Sequence, residues 1–153
     1  MDKRERDNNV VVVDSNFILL PIQFRIDYIE DIVYLLEGAT HFIIYQQVYD
    51  ELKAKQKRLA KKGKNNKFRA QFEAGKRYLE MKRQEYHISF IDEVKEKDET
   101  TDEFLLRKVL SLKDIYHHIF LATNDYELRK KAKQSQISAI YLKQKQFISI
   151  TRV

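Results

Sequence analysis

The stretch "VVVVDSN", from Val10 to Asn16, decides the fold of this chain. Its four consecutive valines are β-branched, with no polar residue alternating among them, which is typical of a strand buried on both faces. Asp14 follows them directly. A lone carboxylate inside a buried strand is costly, so either the strand ends at Asp14 or another group compensates the charge.

The composition is that of one globular domain. The chain has 153 residues and a mass of 18.4 kDa, and we expect a flexible N-terminus over residues 1–9 and one domain over residues 10–153. The absence of cysteine excludes disulfide scaffolds and thiolate metal sites. No apolar run approaches the roughly 20 residues of a membrane span, and residues 1–9 lack the apolar region of a secretory signal. We therefore expect a cytoplasmic location and no membrane partner.

The charge is unevenly distributed. Residues 53–83 hold 13 lysines and arginines against two acids, Glu73 and Glu80, a net charge of +11 (13 minus 2). Because the whole chain carries +6, the remainder is acidic, at −5 (6 minus 11). Clustered lysine and arginine are typical of nucleic-acid binding, because phosphate contacts dominate it. A solvated helix surface is the alternative interpretation, and the charge alone does not decide between them.

Strands and helices alternate along the chain. Apolar runs predict five strands, at 10–13, 41–45, 86–91, 118–123 and 137–142. Apolar residues at helical spacing predict helices at 26–38, 46–63, 68–84, 102–112 and 126–134. The second and third of these helices are joined by a "GKNNK" turn into a basic helical hairpin, and residues 147–153 resemble a tail. This alternation predicts a three-layer α/β/α fold around a central, mainly parallel five-stranded sheet.

Four acidic residues fall near the carboxyl ends of these strands. Asp14 follows the first strand and Asp125 the fourth. Glu51 and Asp102 lie early in the helices that follow the second and third strands. In open parallel sheets the functional site lies outside the carboxyl ends of the strands. We therefore expect these four side chains to meet at one edge of the sheet.

A cluster of carboxylates favours a bound cation. Two unit charges 4 Å apart repel by on the order of 4 kcal/mol at an effective dielectric constant of 20. A divalent cation removes this repulsion, and hard oxygen ligands select magnesium or manganese over zinc. The four histidines show no metal-ligand spacing, so we expect them to be structural or peripheral.

Each acid also has a local explanation. Asp14 is a suitable residue for capping the turn that follows it, and Glu51 can pair with Lys55 one helical turn later. Asp102 and Asp125 stand where helix N-caps are expected. Other enzyme classes are excluded more firmly. The "DSN" motif lacks the second aspartate of haloacid-dehalogenase-type phosphatases, and three scattered glycines cannot form a phosphate-binding loop.

The motifs around these acids resemble those of PIN-domain nucleases. "VVVVDSNFILL" is similar to the first motif of that family, "VYDEL" to the second, "TTDEFLL" to the third and "IFLATNDYELRKKA" to the fourth. The resemblance covers nearly the whole chain in the family's order. It is strongest with small archaeal PIN proteins, which are related to the eukaryotic PIN nuclease of the small-subunit processome. Those proteins usually carry paired aspartates in the third motif, whereas this chain has Asp102 and Glu103.

The resemblance implies a PIN-like fold and a metal-dependent endoribonuclease that hydrolyses RNA phosphodiesters. It implies Mg²⁺ or Mn²⁺ as the cofactor, held by the four residues expected to be catalytic: Asp14, Glu51, Asp102 and Asp125. The residues expected to hold these carboxylates in place are Asn16, Thr123 and Glu103. The residues of the basic hairpin expected to bind RNA are Lys57, Arg58, Lys61, Lys62, Lys64, Lys67 and Arg69.

The same resemblance implies a substrate and partners. Precursor ribosomal RNA is the expected substrate, in ribosome biogenesis, and a second copy of the chain or ribosome-assembly proteins are the other expected partners. Two alternatives stay open. One is a catalytically silent RNA-binding ribosome-assembly factor that keeps the acids as a structural metal site. The other is a toxin ribonuclease of the VapC type, which acts on transfer RNA or messenger RNA.

Overall fold

A central sheet organises the fold. The computed structural model describes residues 3–153. Its strands are β1 (Asn9–Val13), β2 (Thr40–Tyr45), β3 (His87–Ile91), β4 (His118–Ala122), β5 (Ser138–Lys143) and β6 (Phe147–Thr151). They lie in the order β3-β2-β1-β4-β5-β6, and all pairs are parallel except β5 with β6. The predicted α/β fold with a mainly parallel sheet is confirmed.

Helices connect these strands. Those of residues 3–153 are α1 (Lys3–Arg6), α2 (Ser15–Ile18), α3 (Leu20–Gln23), α4 (Tyr28–Leu35), α5 (Gln46–Lys61), α6 (Asn66–Lys82), α7 (Thr101–Lys113) and α8 (Tyr126–Gln134). None of them is long and apolar enough to cross a membrane. At least one helix follows each of β1 to β4, as predicted, and both α5 and α6 lie between β2 and β3.

The sheet has six strands, whereas the sequence analysis predicts five. The sixth, β6, is formed by the segment interpreted as a tail, and it pairs antiparallel with β5 so that Ile150 lies opposite Ile140. The turn between β5 and β6 requires positive φ angles at Gln144 (54°) and Lys145 (57°). Asparagine or glycine usually signals such a turn, and neither occurs here. The hairpin was missed for that reason.

The region around β1 also differs from the prediction. Asn9, assigned to the flexible N-terminus, is the first residue of β1 and is buried. The predicted helix at 26–38 is shorter as α4, which begins after Asp27, and two short helices precede it. Residues 1 and 2 of the predicted flexible segment lie outside the described residues, and the flexibility of residues 1–9 stays a prediction.

The predicted basic helical hairpin is present as α5 and α6. The turn between them contains Gly63, whose φ of 67° favours glycine. The hairpin packs on the core through α6, where Phe72 is buried. At Gly75 an added Cβ would clash with the carbonyl oxygen of Ile18. This close approach fixes α6 against the short helix that follows β1.

Strand β1 forms the centre of the core. Its four valines are completely buried, as expected for a strand covered on both faces. Because β1 lies between β2 and β4, its carboxyl end is flanked by the carboxyl ends of both neighbours. The fold therefore brings the residues that follow these three strands to one edge.

Candidate active site

Asp14 occupies the middle of the carboxyl edge of the sheet. Val13, just before it, lies opposite Ala122 in β4, and Val12 lies opposite Ile43 in β2. The Asp14 amide donates to the Ala122 carbonyl at 2.9 Å, which extends the pairing of β1 and β4 by one residue. Groups at the ends of both neighbouring strands are therefore within reach of the Asp14 side chain.

The Asp14 carboxylate is buried and held by neutral donors. The residue is 4% exposed. Its Oδ1 accepts from the Ser15 amide at 2.7 Å, and its Oδ2 accepts from the Thr123 hydroxyl at 2.7 Å and from Asn16 Nδ2 at 3.3 Å. Among the side chains of residues 4–153, no lysine, arginine or histidine forms a salt bridge with Asp14. The strand ends at Val13, and among the described side chains only hydrogen bonds stabilise the Asp14 charge.

A side-chain network joins the ends of β1 and β4. Asn16 Nδ2 donates to Thr123 Oγ1 at 3.3 Å, and Asn16 Oδ1 accepts from the Asn124 amide at 3.0 Å. Thr123 Oγ1 also accepts from the Asp125 amide at 3.1 Å. Asn16 and Thr123 thus contact Asp14 directly and hold the backbone that carries Asp125. These contacts support the role predicted for Asn16 and Thr123.

Negative charge is concentrated at this edge. Burial raises the pKa of Asp14 to about 6, and the charges of Glu51 and Asp102 add to the rise against its hydrogen bonds. Burial also raises the pKa of Glu51, as does the charge of Asp102. The pKa of Asp102 is raised by burial and by Asp125. The four predicted acids are therefore linked by repulsion: Asp102 acts on Asp14 and Glu51, and Asp125 acts on Asp102.

Two of these acids also cap helices. Asp14 caps α2 through the Ser15 amide, and Asp125 caps α8 by accepting from the Leu128 amide at 3.1 Å. The local explanation is therefore correct for both, but it does not use the whole carboxylate. Oδ2 of Asp125 has no hydrogen-bond donor among the described residues and is available to a ligand.

Asp102 and Glu103 have different roles at the start of α7. Thr100 is the cap, since its hydroxyl accepts from the Glu103 amide at 3.1 Å and Glu103 Oε1 accepts from the Thr100 amide at 3.1 Å. This capping box accounts for the acid at position 103. In the described part of the chain, Glu103 has no hydrogen bond to the other carboxylates, so its predicted support of them is without evidence. Asp102 lies outside the box and is half-buried at the shared edge.

Glu51 lies in the second turn of α5 and is half-buried. Hydrogen bonds with the side chains of Thr101 and Ser15 oppose the rise of its pKa, which burial causes. The alternative to a functional role for Glu51 is an ion pair with Lys55, one helical turn later. That pair is absent from the described residues, and Lys55 Nζ instead lies 5.1 Å from the centre of the Phe68 ring.

Two residues that the sequence analysis missed also position this edge. Gln47 is buried, donates to Thr101 Oγ1 at 3.1 Å and accepts from the Lys95 amide at 3.0 Å, which ties the start of α5 to the start of α7. Asn124 Oδ1 accepts from the Leu142 amide at 2.7 Å and ties the end of β4 to β5. Asn124 directly precedes Asp125, so the sequence could have indicated it as a candidate. Gln47 offered no local signal, because its partners lie 54 and 48 positions away.

The cations predicted to bind RNA all lie on the surface of the hairpin. Three lie on α5, two in the joining turn and two on α6. All seven are exposed: Lys57, Arg58, Lys61, Lys62, Lys64, Lys67 and Arg69. None of them forms a salt bridge with an acid in residues 3–153. The positive charge of the hairpin is thus accessible to a polyanion.

The donor chemistry of the edge fits a divalent cation. Its candidate ligands are carboxylates, the hard oxygen donors that such ions prefer, and their mutual repulsion would be relieved by a bound cation. As the side chains stand, no group of three or more histidines, aspartates and glutamates in residues 3–153 is arranged to hold a metal ion. Binding would therefore require these side chains to close around the ion.

Comparisons with known proteins agree with the fold. A family model described as a PIN like domain matches residues 11–145. Among proteins of curated function, none matches this chain. The solved structure of the PIN domain endonuclease Utp24 is 20% identical, with a TM-score of 0.65 over 94% of this chain and 92% of that one.

Two further solved structures share the fold. A domain of a functionally unknown protein from Methanocaldococcus jannaschii DSM 2661 is 19% identical, with a TM-score of 0.62 over 88% of this chain and 91% of that one. The T5 D15 protein, co-crystallised with metal ions, is 14% identical, with a TM-score of 0.57 over 94% of this chain and 57% of its own. At these identities the likeness concerns the fold.

Proposed function

This chain belongs to the PIN like domain family, and on that premise we propose that it is a metal-dependent endoribonuclease. The fold it shares with PIN-domain nucleases supports nuclease activity. The further elements of the proposal are hydrolysis of RNA phosphodiesters, dependence on Mg²⁺ or Mn²⁺, and a place in ribosomal RNA processing.

The convergence of four acids carries the proposal. Asp14, Glu51, Asp102 and Asp125 come from four separate segments, and each interacts electrostatically with at least one of the others. The charges of Arg58 and Lys131 oppose the rise of the pKa of Glu51 and Asp102, respectively. A purely structural cluster would be expected to compensate its most buried charge as well, because uncompensated buried charge destabilises the fold. Asp14 is the most deeply buried of the four and lacks such a partner. Groups of this kind mark functional sites more often than structural ones.

Each residue of the edge has a proposed role. Asp14, Asp102 and Asp125 would hold the cation, and Glu51 would either join them or orient the attacking water. Asn16 and Thr123 would keep Asp14 aligned, through the hydrogen bonds of 3.3 Å and 2.7 Å to its Oδ2. A bound divalent cation would supply Lewis acidity and offset the negative charge that develops on the reacting phosphate.

The basic hairpin supports RNA as the substrate. Its exposed cations lie on a surface separate from the acidic edge. That surface would bind the phosphate backbone, while the acidic edge would carry out the hydrolysis. Replacing Lys61, Lys62 and Lys64 by glutamine should weaken RNA binding and make its salt dependence shallower. The logarithmic slope should fall by roughly 0.7 for each phosphate that the variant no longer neutralises.

Ribosomal RNA is proposed from the resemblance of the motifs to archaeal relatives of the processome nuclease. The fold is shared with the PIN domain endonuclease Utp24, which supports the endonuclease part of the proposal. Ribosome-assembly proteins, a second copy of the chain and a cytoplasmic location stay predictions.

The test is cleavage of labelled precursor ribosomal RNA with manganese, with magnesium and with a chelator. We expect cleavage only with metal, and its loss in the Asp125→Asn variant. Cleavage that persists in the chelator or in this variant would contradict the proposal. Binding without cleavage under every condition would favour the silent assembly factor, and preferential cleavage of transfer or messenger RNA would favour the toxin.

A further inference from the structure

One face of α8 is both aromatic and basic. Its residues recur at the spacing i, i+3, i+4 and i+7, which aligns them along the helix: Tyr126, Arg129, Lys130 and Lys133. The buried face of α8 is formed instead by Leu128 and Ala132. The aligned face, called the α8 stripe below, lies outside the basic hairpin and was not predicted to bind RNA.

The α8 stripe borders a cavity of about 260 Å³ at the β5–β6 end of the sheet. The guanidinium carbon of Arg129 lies 4.2 Å from the ring centre of Tyr141 and 5.8 Å from that of Tyr126. The other lining residues outside the helix are Ile137, Ala139 and Thr151. An aromatic ring, a planar cation and an apolar wall together suit a flat ligand with polar edges, such as a nucleobase.

Polar groups of the α8 stripe lack partners within residues 3–153. Nε of Arg129 is buried and has no hydrogen-bond acceptor. Lys130 and Lys133 are exposed and form no salt bridge there. A buried donor without an acceptor is rare in folded proteins, and here it accompanies two free cations. The two exposed lysines suit a ligand that carries negative charge.

The stripe begins at the candidate active site. Tyr126 directly follows Asp125 and is 66% exposed. From there the stripe runs along α8, away from the carboxyl edge of the sheet. An RNA strand held at the four acids would therefore meet the Tyr126 ring first and the lysines after it.

We propose that the α8 stripe binds the single-stranded RNA beside the cleaved bond, with the ring of Tyr126 stacked on an unpaired nucleobase. Lys130 and Lys133 would contact the adjoining phosphates, and Arg129 would line the surface between them and the ring. This inference rests on the proposed nuclease function and adds to it a second binding surface. The chemistry of stacking aromatics beside cations is that of proteins that hold single strands without reading their sequence.

The test compares the affinity of the whole chain and its variants for a short fluorescent single-stranded RNA, in chelator so that cleavage does not interfere. Tyr126→Ala should bind about tenfold more weakly, because the aromatic ring that stacks on the base is removed. Tyr126→Phe should bind as the parent does, because the ring is kept. Tyr34→Ala is the matched control: Tyr34 is 88% exposed, on α4, and should have no effect.

A second RNA, identical except that it lacks its bases, separates stacking from other effects. On this abasic RNA, Tyr126→Ala should bind as tightly as the parent. An equal reduction in affinity on both RNAs would show that Tyr126 acts without a base and would overturn the proposal. The double change Lys130→Gln with Lys133→Gln should reduce the salt slope by about 1.4, or roughly 0.7 for each phosphate; an unchanged slope would contradict the phosphate contacts.

The outcomes distinguish this inference from the proposed function. If the parent cleaves RNA with metal while Tyr126→Ala binds RNA as tightly as the parent, the α8 stripe is not a binding site and the nuclease stands. If the parent neither binds nor cleaves RNA, both proposals fall.

Discussion

Asp14 and Asp27 each cap a helix near the N-terminus, yet the fold treats their charges in opposite ways. Burial acts to raise the pKa of Asp27, but hydrogen bonds from Lys82 and Tyr78 outweigh it and leave that pKa below its usual value. The Lys82 ammonium lies 2.7 Å from Asp27 Oδ2, and the Tyr78 hydroxyl donates to Oδ1. Asp14 is more deeply buried but receives only neutral donors, and its pKa rises to about 6.

The difference separates a carboxylate with a structural role, Asp27, from one that we propose to be functional, Asp14. Asp27 joins α4 to α6 and has its counter-charge within the chain. Asp14 lies beside further acids, so its charge is left for a group from outside the protein. A lysine placed near Asp14 would stabilise the fold but would compete with such a group. The fold is therefore expected to be less stable than it would be with a lysine paired to Asp14.

Asp14→Asn is the substitution from which we expect the largest effect. We expect RNA cleavage to fall by on the order of a thousandfold, or about 4 kcal/mol in the activation free energy, because a ligand of the cation is removed. Stability without metal should change by less than about 1 kcal/mol, because the repulsion from neighbouring acids is also removed. Cleavage assays and urea unfolding measure the two effects.

Asp114→Asn serves as the control for Asp14→Asn, since Asp114 is exposed at the far end of α7. It should leave both cleavage and unfolding unchanged. A large loss of stability in Asp14→Asn, with cleavage retained, would mean that Asp14 is structural in the way that Asp27 is.

The two regions meet at Gly75, where α6 contacts the backbone of α2. Gly75→Ala should destabilise the fold by about 3 kcal/mol, because the added methyl group clashes with the Ile18 carbonyl and neither backbone can easily move. Thermal and urea unfolding measure the loss. Arg77→Ala, at an exposed position on the same helix, should stay within about 0.5 kcal/mol of the parent. A Gly75→Ala variant as stable as the parent would show that α6 is free to shift.

Removing the structural carboxylate should affect stability and spare the chemistry. Asp27→Ala loses a helix cap and the acceptor of Lys82 and Tyr78, at about 1–2 kcal/mol, a value kept low because water screens this partly exposed pair. Urea unfolding measures it, and cleavage below the unfolding range should match the parent. Asp31→Ala, exposed on the same helix and not its cap, should have a smaller effect. Equal effects in the two variants would refute the pairing.

The smallest effect concerns the opposite edge of the sheet, where His41 stacks on His87 with ring centres 3.7 Å apart. Burial and the neighbouring imidazole lower the pKa of His41 to about 4. Below an unfolded value near 6.5, the unfolded chain therefore binds the proton first, and stability falls as the pH drops from 6.5 towards 4.

This loss should be about 1 kcal/mol after allowance for solvent, since His41 is only half-buried. The measurement is urea unfolding of the parent and of His41→Gln at pH 7 and pH 5. The parent should lose more stability between the two pH values than the variant does. Identical losses would show that His41 does not contribute.

Much of the site was predictable because strand ends are local features. The run Val10–Val13 identifies a buried strand, and parallel topology brings the residues after such strands to a common edge. Asp14, Asp102 and Asp125 were identified as candidates in that way. The pairing of Asp27 with Lys82 was not, because the two residues are 55 positions apart and no periodicity links them. The strand β6 was missed because its turn uses Gln144 and Lys145 at positive φ.

The sequence by itself determined the α/β class, the basic hairpin and the four acids, because apolar periodicity, charge and strand ends are properties of short segments. The tertiary structure alone decided how each charge is compensated. It gave Asp27 a lysine, left Asp14 with neutral donors and assigned Glu103 to a helix cap. Those outcomes depend on which distant residues meet in space, and electrostatic free energies in a folded protein depend on those distances and on burial.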